Sequence, residues 1–284
     1  MILVTGATGT VGRALVDRLA ALGAPVRAAT RRPDRADLPA DVDVAYADLG
    51  EPDSLDGALK GIQKVFLLAD GPNIPAHDAN LARAAARAGV DTVVKLSSGR
   101  AADPTADDPV PRWHRAGEQA VLDSELAWIF LRPMGFMSNV LAWAGSIRRD
   151  RTVRAPFADG RVAVIDPADI AAVAARVLTE EGHEGRAYLL TGPEALSPGD
   201  LTATLAEVLE VPLTFTEVSP EAAREAILEH GVSEAMADAI TALRAASLEE
   251  FTSTVTPAVE QITGRPATSF RAWAERHRDE FRHA

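Results

Sequence analysis

A chain of 284 residues, 47% hydrophobic and 25% charged, has room for one large α/β core plus a smaller attached domain, and its make-up is that of a globular protein. A formal charge of −12 argues against a nucleic-acid partner, and the absence of cysteine excludes disulfides, thiolate catalysis and cysteine-ligated zinc. No apolar run approaches the roughly 20 residues a membrane helix needs; an apolar strand starting at residue 2 leaves no room for a signal peptide, so a cytoplasmic location away from membranes is expected.

The first element is a buried strand over 2–4 that runs straight into Thr5-Gly6-Ala7-Thr8-Gly9-Thr10-Val11-Gly12. Gly6 gives the chain backbone angles for a sharp turn off the strand. Gly9 lets the backbone approach a pyrophosphate, and Gly12 lets the next helix lie close to the sheet. That helix aims its free N–H groups and positive dipole end at phosphate, so Thr8, Gly9, Thr10 and Val11 are predicted to cradle the diphosphate of a dinucleotide. The spacing, Gly-x-x-Gly-x-x-Gly, is one residue off the common fingerprint. Val11, Leu15, Leu19 and Leu22 predict a buried helical stripe, closed by Gly23 and Pro25.

A second strand is expected over 26–30, a third over 42–47, a helix from about 51, a fourth strand over 65–68, a helix over 76–88, a fifth strand over 90–97, a helix over 112–123 and a sixth strand over 126–131. This alternation implies a doubly wound parallel sheet of Rossmann type. Residues 134–159 read as irregular. The segment 162–165, a helix over 167–181 and a strand over 188–191 are expected to rejoin the sheet. Helices near 198–209, 220–230, 233–248 and 269–281 then complete a smaller, mostly helical cap. The expected division is 1–134 with 161–192 for the dinucleotide-binding domain, and 135–160 with 193–284 for the substrate cap.

Eighteen to twenty residues past Gly12, where such folds choose their cofactor, stand Thr30, Arg31 and Arg32, with no acid before Asp34. An acid there would bond the ribose hydroxyl of NAD, whereas a guanidinium suits the 2′-phosphate of NADP, so NADP(H) is favoured over NAD(H). Asp48 and Leu49 are placed near the adenine, although Asp48 serves equally well as a helix N-cap. Leu68 and Ala69 end the fourth strand where the cofactor crevice opens. Ser97 ends the fifth, with its hydroxyl toward the nicotinamide, and Arg132 and Pro133 end the sixth. Met134, Phe136, Met137 and Trp143 are expected to line an apolar substrate pocket. The histidines form no cluster of metal-ligand spacing, so no metal is expected.

Five segments carry a resemblance: Thr5 to Gly12, Lys95-Leu96-Ser97-Ser98, Trp128 to Pro133, Asp166-Pro167-Ala168-Asp169-Ile170 and Ile262-Thr263-Gly264-Arg265-Pro266. Together they resemble the NmrA-like atypical short-chain dehydrogenase/reductases, over nearly the whole chain. The resemblance implies NADPH-dependent quinone or triphenylmethane-dye reduction, or redox sensing without turnover. Ordinary members of the wider superfamily use Tyr-x-x-x-Lys. Both tyrosines here, Tyr46 and Tyr188, are followed four residues later by glycine, so that dyad is absent.

In its place stands His114-x-x-x-Glu118, a pair on one helix face. His114 is the candidate proton donor, with Glu118 orienting it and raising its pKa, and Ser97 beside them. The plainer alternative is a surface ion pair worth about 0.3–0.5 kcal/mol. The expected function is an NADPH-dependent reductase that passes hydride to a planar, apolar carbonyl or quinone-like small molecule held between Ser97, His114 and the 134–136 loop. A non-catalytic NADP(H) sensor and a related isomerase or epimerase with bound nucleotide are the alternatives.

Overall fold

The first strand is three apolar residues, all buried, Ile2–Val4 (β1). In chain order there follow Thr10–Ala21 (α1), Val26–Thr30 (β2), Asp43–Tyr46 (β3), Pro52–Ala58 (α2), Lys64–Leu67 (β4), Ile74–Ala88 (α3), Thr92–Leu96 (β5), Pro109–Leu122 (α4) and Ala127–Pro133 (β6). Next come Ala144–Asp150 (α5), Thr152–Ala155 (β7), Pro167–Thr179 (α6), Arg186–Leu190 (β8), Pro198–Leu209 (α7) and Thr214–Glu217 (β9). Pro220–Glu229 (α8), Glu234–Ala245 (α9), Ala258–Thr263 (α10), Phe270–Arg276 (α11) and Arg278–Arg282 (α12) close the chain. The computed structural model describes residues 1–282. It divides into two units, Met1–Pro133 with Pro167–Leu189, and Met134–Asp166 with the chain from Leu190 onward.

The first unit is a seven-stranded sheet in the order β3-β2-β1-β4-β5-β6-β8. Every pairing from β3 to β6 is parallel, with Ile2 opposite both Val26 and Lys64. The order reverses between β1 and β4, the switch point where such sheets open a crevice for ligands. Side chains alternate between faces. Leu3, Val65, Leu67 and Val93 pack with Leu55, Leu81, Ala85 and Val121 from α2, α3 and α4, while α1 and α6 pack on each other and α6 lies against β4, β5 and β6. Proline in the first turn starts α2, α3 and α4 where a missing N–H costs nothing. Gly89, left-handed at φ 73°, ends α3.

The sheet carries one charged residue through its dry centre. Lys95, on β5, and Asp78, on α3, are both fully buried, with Nζ 2.5 Å from Oδ2. Burial pushes the Asp78 carboxyl up, against the pull of the Lys95 ammonium. Gly117, inside α4, makes room for this pair. A Cβ there would stand 2.0 Å from Asp78 Oδ2 and 3.2 Å from Ile74 Cγ2, so only a residue without a side chain lets α4 approach α3.

The second unit has its own core, in which Met137, Val140, Ile147, Val153, Leu205, Phe270 and Trp273 are buried together. Its strands β7 and β9 form a separate parallel pair, Val153 opposite Phe215. Thr252 is a tie point: its N–H and hydroxyl both donate to the carbonyl of Glu249, and its carbonyl accepts from Ala163 N–H at 2.9 Å.

Several expectations are corrected. Residues 162–165 do not rejoin the sheet; they lie in the second unit and make only isolated bridges, Phe136 to Ile165 and Val162 to Leu196. Residues 161–166 and 190–192 thereby fall in the second unit. The stretch 134–159 is ordered as a 3₁₀ segment over Met137–Trp143, then α5 and β7. The helix over 269–281 breaks at His277 into α11 and α12, and the one over 233–248 passes into a 3₁₀ turn after Ala245. Leu22 leaves the buried stripe: it is the C-cap of α1 and 62% exposed. No helix among the described residues is long and apolar enough to cross a membrane.

Gly117→Ala is expected to lower stability by about 2–3 kcal/mol through overpacking against a buried charge. Gly57→Ala in α2, where a Cβ meets nothing within 4 Å, is expected to be neutral or stabilising by up to about 1 kcal/mol. Urea denaturation of the two variants beside wild type measures the contrast.

Candidate dinucleotide site

The turn after β1 is built so that a helix begins almost on top of it. Gly6 is left-handed at φ 60°, and Gly9 N–H donates to Gly6 O at 2.9 Å. A Cβ on Gly12 would fall 2.1 Å from that same oxygen, so Gly12 has no room for a side chain. Gly9 caps α1 with extended backbone and no side-chain bond, and the first turn holds no acid. The amides of Thr10, Val11 and Gly12 therefore open the helix without a carbonyl one turn behind them. Thr8, Gly9 and Thr10 are exposed. Thr5 ties the turn to the neighbouring strand, its Oγ1 accepting from Leu68 N–H at 2.8 Å and donating to Leu68 O at 3.0 Å. Leu68 also packs on Gly6, where a Cβ would stand 2.9 Å from Leu68 Cδ2. A cradle of bare amides, kept open by positions that exclude side chains, fits a diphosphate.

At the end of β2, Arg31 and Arg32 are both exposed, and neither guanidinium has a partner among the described residues. Asp48 is not the cap of α2. That position is Glu51, and Asp48 Oδ1 instead accepts from Gly50 N–H at 2.8 Å. Leu49 O accepts from Asn80 Nδ2 at 2.9 Å, which fixes the loop after β3 to α3. Leu68 and Ala69 end β4 half-buried.

The ends of β5 and β6 meet α4 in a charged cluster arranged differently from the expectation. Glu118 does not orient His114. Its Oε1 accepts from Ser97 Oγ at 2.6 Å and from Arg132 Nε at 2.9 Å, and its Oε2 accepts from Arg132 Nη2 at 2.7 Å. Both ends of the Arg132 fork are thus spent on one carboxylate, and its guanidinium carbon lies 5.9 Å from the Phe130 ring centroid. Arg132 is held in the protein's own network through Nε and Nη2, and Pro133 beyond it is buried. Ser97 is buried too, its N–H donating to Leu131 O at 2.7 Å across the β5–β6 pair.

His114 is corrected as well. Its Nδ1 is buried without a hydrogen-bond partner. Its pKa falls from 6.5 to about 3, first because burial disfavours the charged ring and second because the Lys95 ammonium repels a further proton. A helix-face spacing of four suggested a charged pair. In the fold, Arg132 captures Glu118 and Lys95 faces His114 instead.

Two buried charge clusters lie outside the glycine and His-x-x-x-Glu motifs. The Lys95–Asp78 pair could have been suspected from a lysine inside an apolar strand. Buried Arg100, whose Nη1 and Nη2 stand 2.8 Å from Asp103 and 3.1 Å from Asp108, pins the loop after β5; nothing in the sequence marks it. Met134, Phe136, Met137 and Trp143 all belong to the second unit. Met134 is buried, Met137 is fully buried in that unit's core, and Trp143 packs against it half-buried, so core packing accounts for Met137 and Trp143. Phe136 is half-buried. Among the described residues no group of three or more His, Asp or Glu is placed to hold a metal.

Comparison with known proteins agrees with the cradle. A family model described as NAD(P)H-binding matches residues 6–181. The chain is 45% identical, over 99% of both chains, to a (4-alkanoyl-5-oxo-2,5-dihydrofuran-3-yl)methyl phosphate reductase of Streptomyces griseus subsp. griseus. It is 38% identical, over 98% of both, to an NAD(P)H azoreductase of Xenophilus azovorans. An NADPH-dependent quinone oxidoreductase from Escherichia coli, solved in complex with NADPH, superposes with a TM-score of 0.87 at 28% identity over 98% of this chain and 100% of that one. Glycine turn, strand order and likeness converge, and the chain belongs to the NAD(P)H-binding family.

Proposed function

We propose that this protein is an NADPH-dependent reductase of a small, planar, electron-poor acceptor, a quinone or a conjugated carbonyl compound. The observation that carries the proposal is the uncapped start of α1, held against the Gly6 carbonyl with no space for a side chain at Gly12. Thr8, Gly9, Thr10 and Val11 would hold the diphosphate there, and the free, exposed pair Arg31 and Arg32 would take the 2′-phosphate that distinguishes NADPH from NADH. Strand ends beyond the switch point, at Leu68, Ala69 and Ser97, would flank the nicotinamide. When bound, the cofactor supplies a hydride.

The substrate class follows from what the chain's own groups can give. There is no Tyr-x-x-x-Lys dyad, and His114 stays neutral down to about pH 3. Glu118 is occupied by Ser97 and Arg132. With no poised acid among these residues, the proton that completes reduction would come from water, and the acceptor must be electrophilic enough to take hydride unaided. The names of the relatives agree: one substrate has a ring alkene beside two carbonyls, another is a quinone.

Three outcomes test this reading. NADPH should be oxidised by quinones and by acyl-butenolides but not by unactivated ketones; binding of NADPH with no oxidation by any acceptor would favour a sensor. Gly9→Asp should weaken NADPH binding more than tenfold in calorimetry, a loss above about 1.4 kcal/mol. Replacing Arg31 and Arg32 together by Ala should weaken NADPH about 10- to 100-fold and leave NADH unchanged, as for lost charge-assisted bonds.

A further expected outcome concerns pH. The unfolded chain binds a proton at His114 near pH 6.5 that the folded chain refuses until about 3, so stability should fall as pH drops through this window. From this group alone the slope approaches about 1.4 kcal/mol per pH unit. The ring signals of His114 should not titrate in NMR spectra across that window, and His114→Gln should flatten the corresponding part of the stability profile.

A further inference from the structure

The hydroxyl of Ser97 has a single proton, and that proton is committed. It points to Glu118 Oε1 at 2.6 Å, on a carboxylate that Arg132 grips through both oxygens. Ionised carboxylates only accept, and a guanidinium only donates, so no other arrangement of protons satisfies this trio. Ser97 is buried and its main chain is fixed by the bond to Leu131 O. Any further partner of Oγ must therefore come to a lone pair.

Ser97 follows directly on β5, on the side of the switch point where the nicotinamide half of a dinucleotide lies. Resting on the NADPH reading above, we propose that Ser97 is an acceptor-only contact. It takes a hydrogen bond from the carboxamide N–H₂ of the nicotinamide, and Glu118 and Arg132 are positioning residues that keep its proton turned away. The arrangement selects which way the carboxamide is turned, with its nitrogen toward β5. It also removes Ser97 from acid chemistry, because the hydroxyl has no proton free for the oxygen of an acceptor.

The test uses the 3-acetylpyridine analogue of NADPH, in which a methyl group replaces the carboxamide nitrogen while the carbonyl remains. Wild type should bind NADPH about 3- to 10-fold more tightly than the analogue, the usual worth of one hydrogen bond. Ser97→Ala should bring that ratio close to one by weakening NADPH alone. Glu118→Ala, which frees the hydroxyl to rotate, should also shrink the ratio, and Glu118→Gln should restore part of it because an amide oxygen still accepts the Ser97 proton.

An unchanged ratio in Ser97→Ala overturns the contact, and equal weakening of both cofactors shows that Ser97 donates to the carbonyl instead. A ratio kept by Glu118→Ala overturns the positioning role. Should Glu118→Ala fail to fold, Glu118→Met, which keeps the bulk but cannot accept the Ser97 proton, makes the same comparison, with the ratio expected to fall and its retention overturning the role. If wild type binds neither cofactor, the NADPH reading itself fails, a result separate from all of these.

Discussion

The close approach of α1 to the turn after β1 is the constraint from which the rest follows. A Cβ on Gly12 would stand 2.1 Å from the Gly6 carbonyl oxygen, so helix and strand share a corner that leaves no room for a side chain at Gly12. That corner sets the direction of α1 and leaves its first amides bare. Beside it the Thr5 hydroxyl ties the end of β1 to the end of β4. The crevice at the β1/β4 switch is a consequence of strand order, and the positive helix end beside it makes that crevice a place for phosphate.

On the far side of the switch the chain spends charge for position instead of for acid–base chemistry. Lys95 and Asp78 are paired where no water reaches, and removing one partner of such a pair typically costs about 3–5 kcal/mol because the other is left unmatched. Lys95 also acts on a neighbour: burial first, and the Lys95 ammonium second, keep His114 neutral. Glu118 is drawn to Arg132. Each group that looks like a catalytic acid in isolation is neutralised or engaged by a neighbour brought from another strand or helix. For the proposed reduction, such a site would suit acceptors that need no push from a proton.

The second unit carries its own apolar core and its own small parallel pair. Its chain is threaded from two places in the sequence, 134–166 and 190 onward. Local patterning handles such a segment poorly. Short 3₁₀ stretches, bridges of one residue pair and a helix interrupted at His277 have no strong periodicity, and their order comes from contacts with residues a hundred positions away, such as the Arg276–Asp166 ion pair. The aromatic and methionine side chains after β6 look like a pocket on paper, yet Met137 is a core residue because the segments that bury it lie far along the chain.

What the sequence determined by itself is what depends on near neighbours. The glycine turn, the alternation of strands and helices up to Pro133, the missing tyrosine–lysine dyad and the twin arginines after β2 are all legible, because each is a matter of spacing, backbone freedom or local charge. What only the tertiary structure decided is who partners whom. Glu118 stands four residues from His114, but its carboxylate goes to Ser97, just past β5, and to Arg132 on β6. Asp78 finds Lys95, and Gly117 is needed only because that pair passes beneath it. Burial amplifies charge–charge forces and raises the cost of an unmatched ion, so the pairing is settled by three-dimensional proximity, which no local pattern encodes.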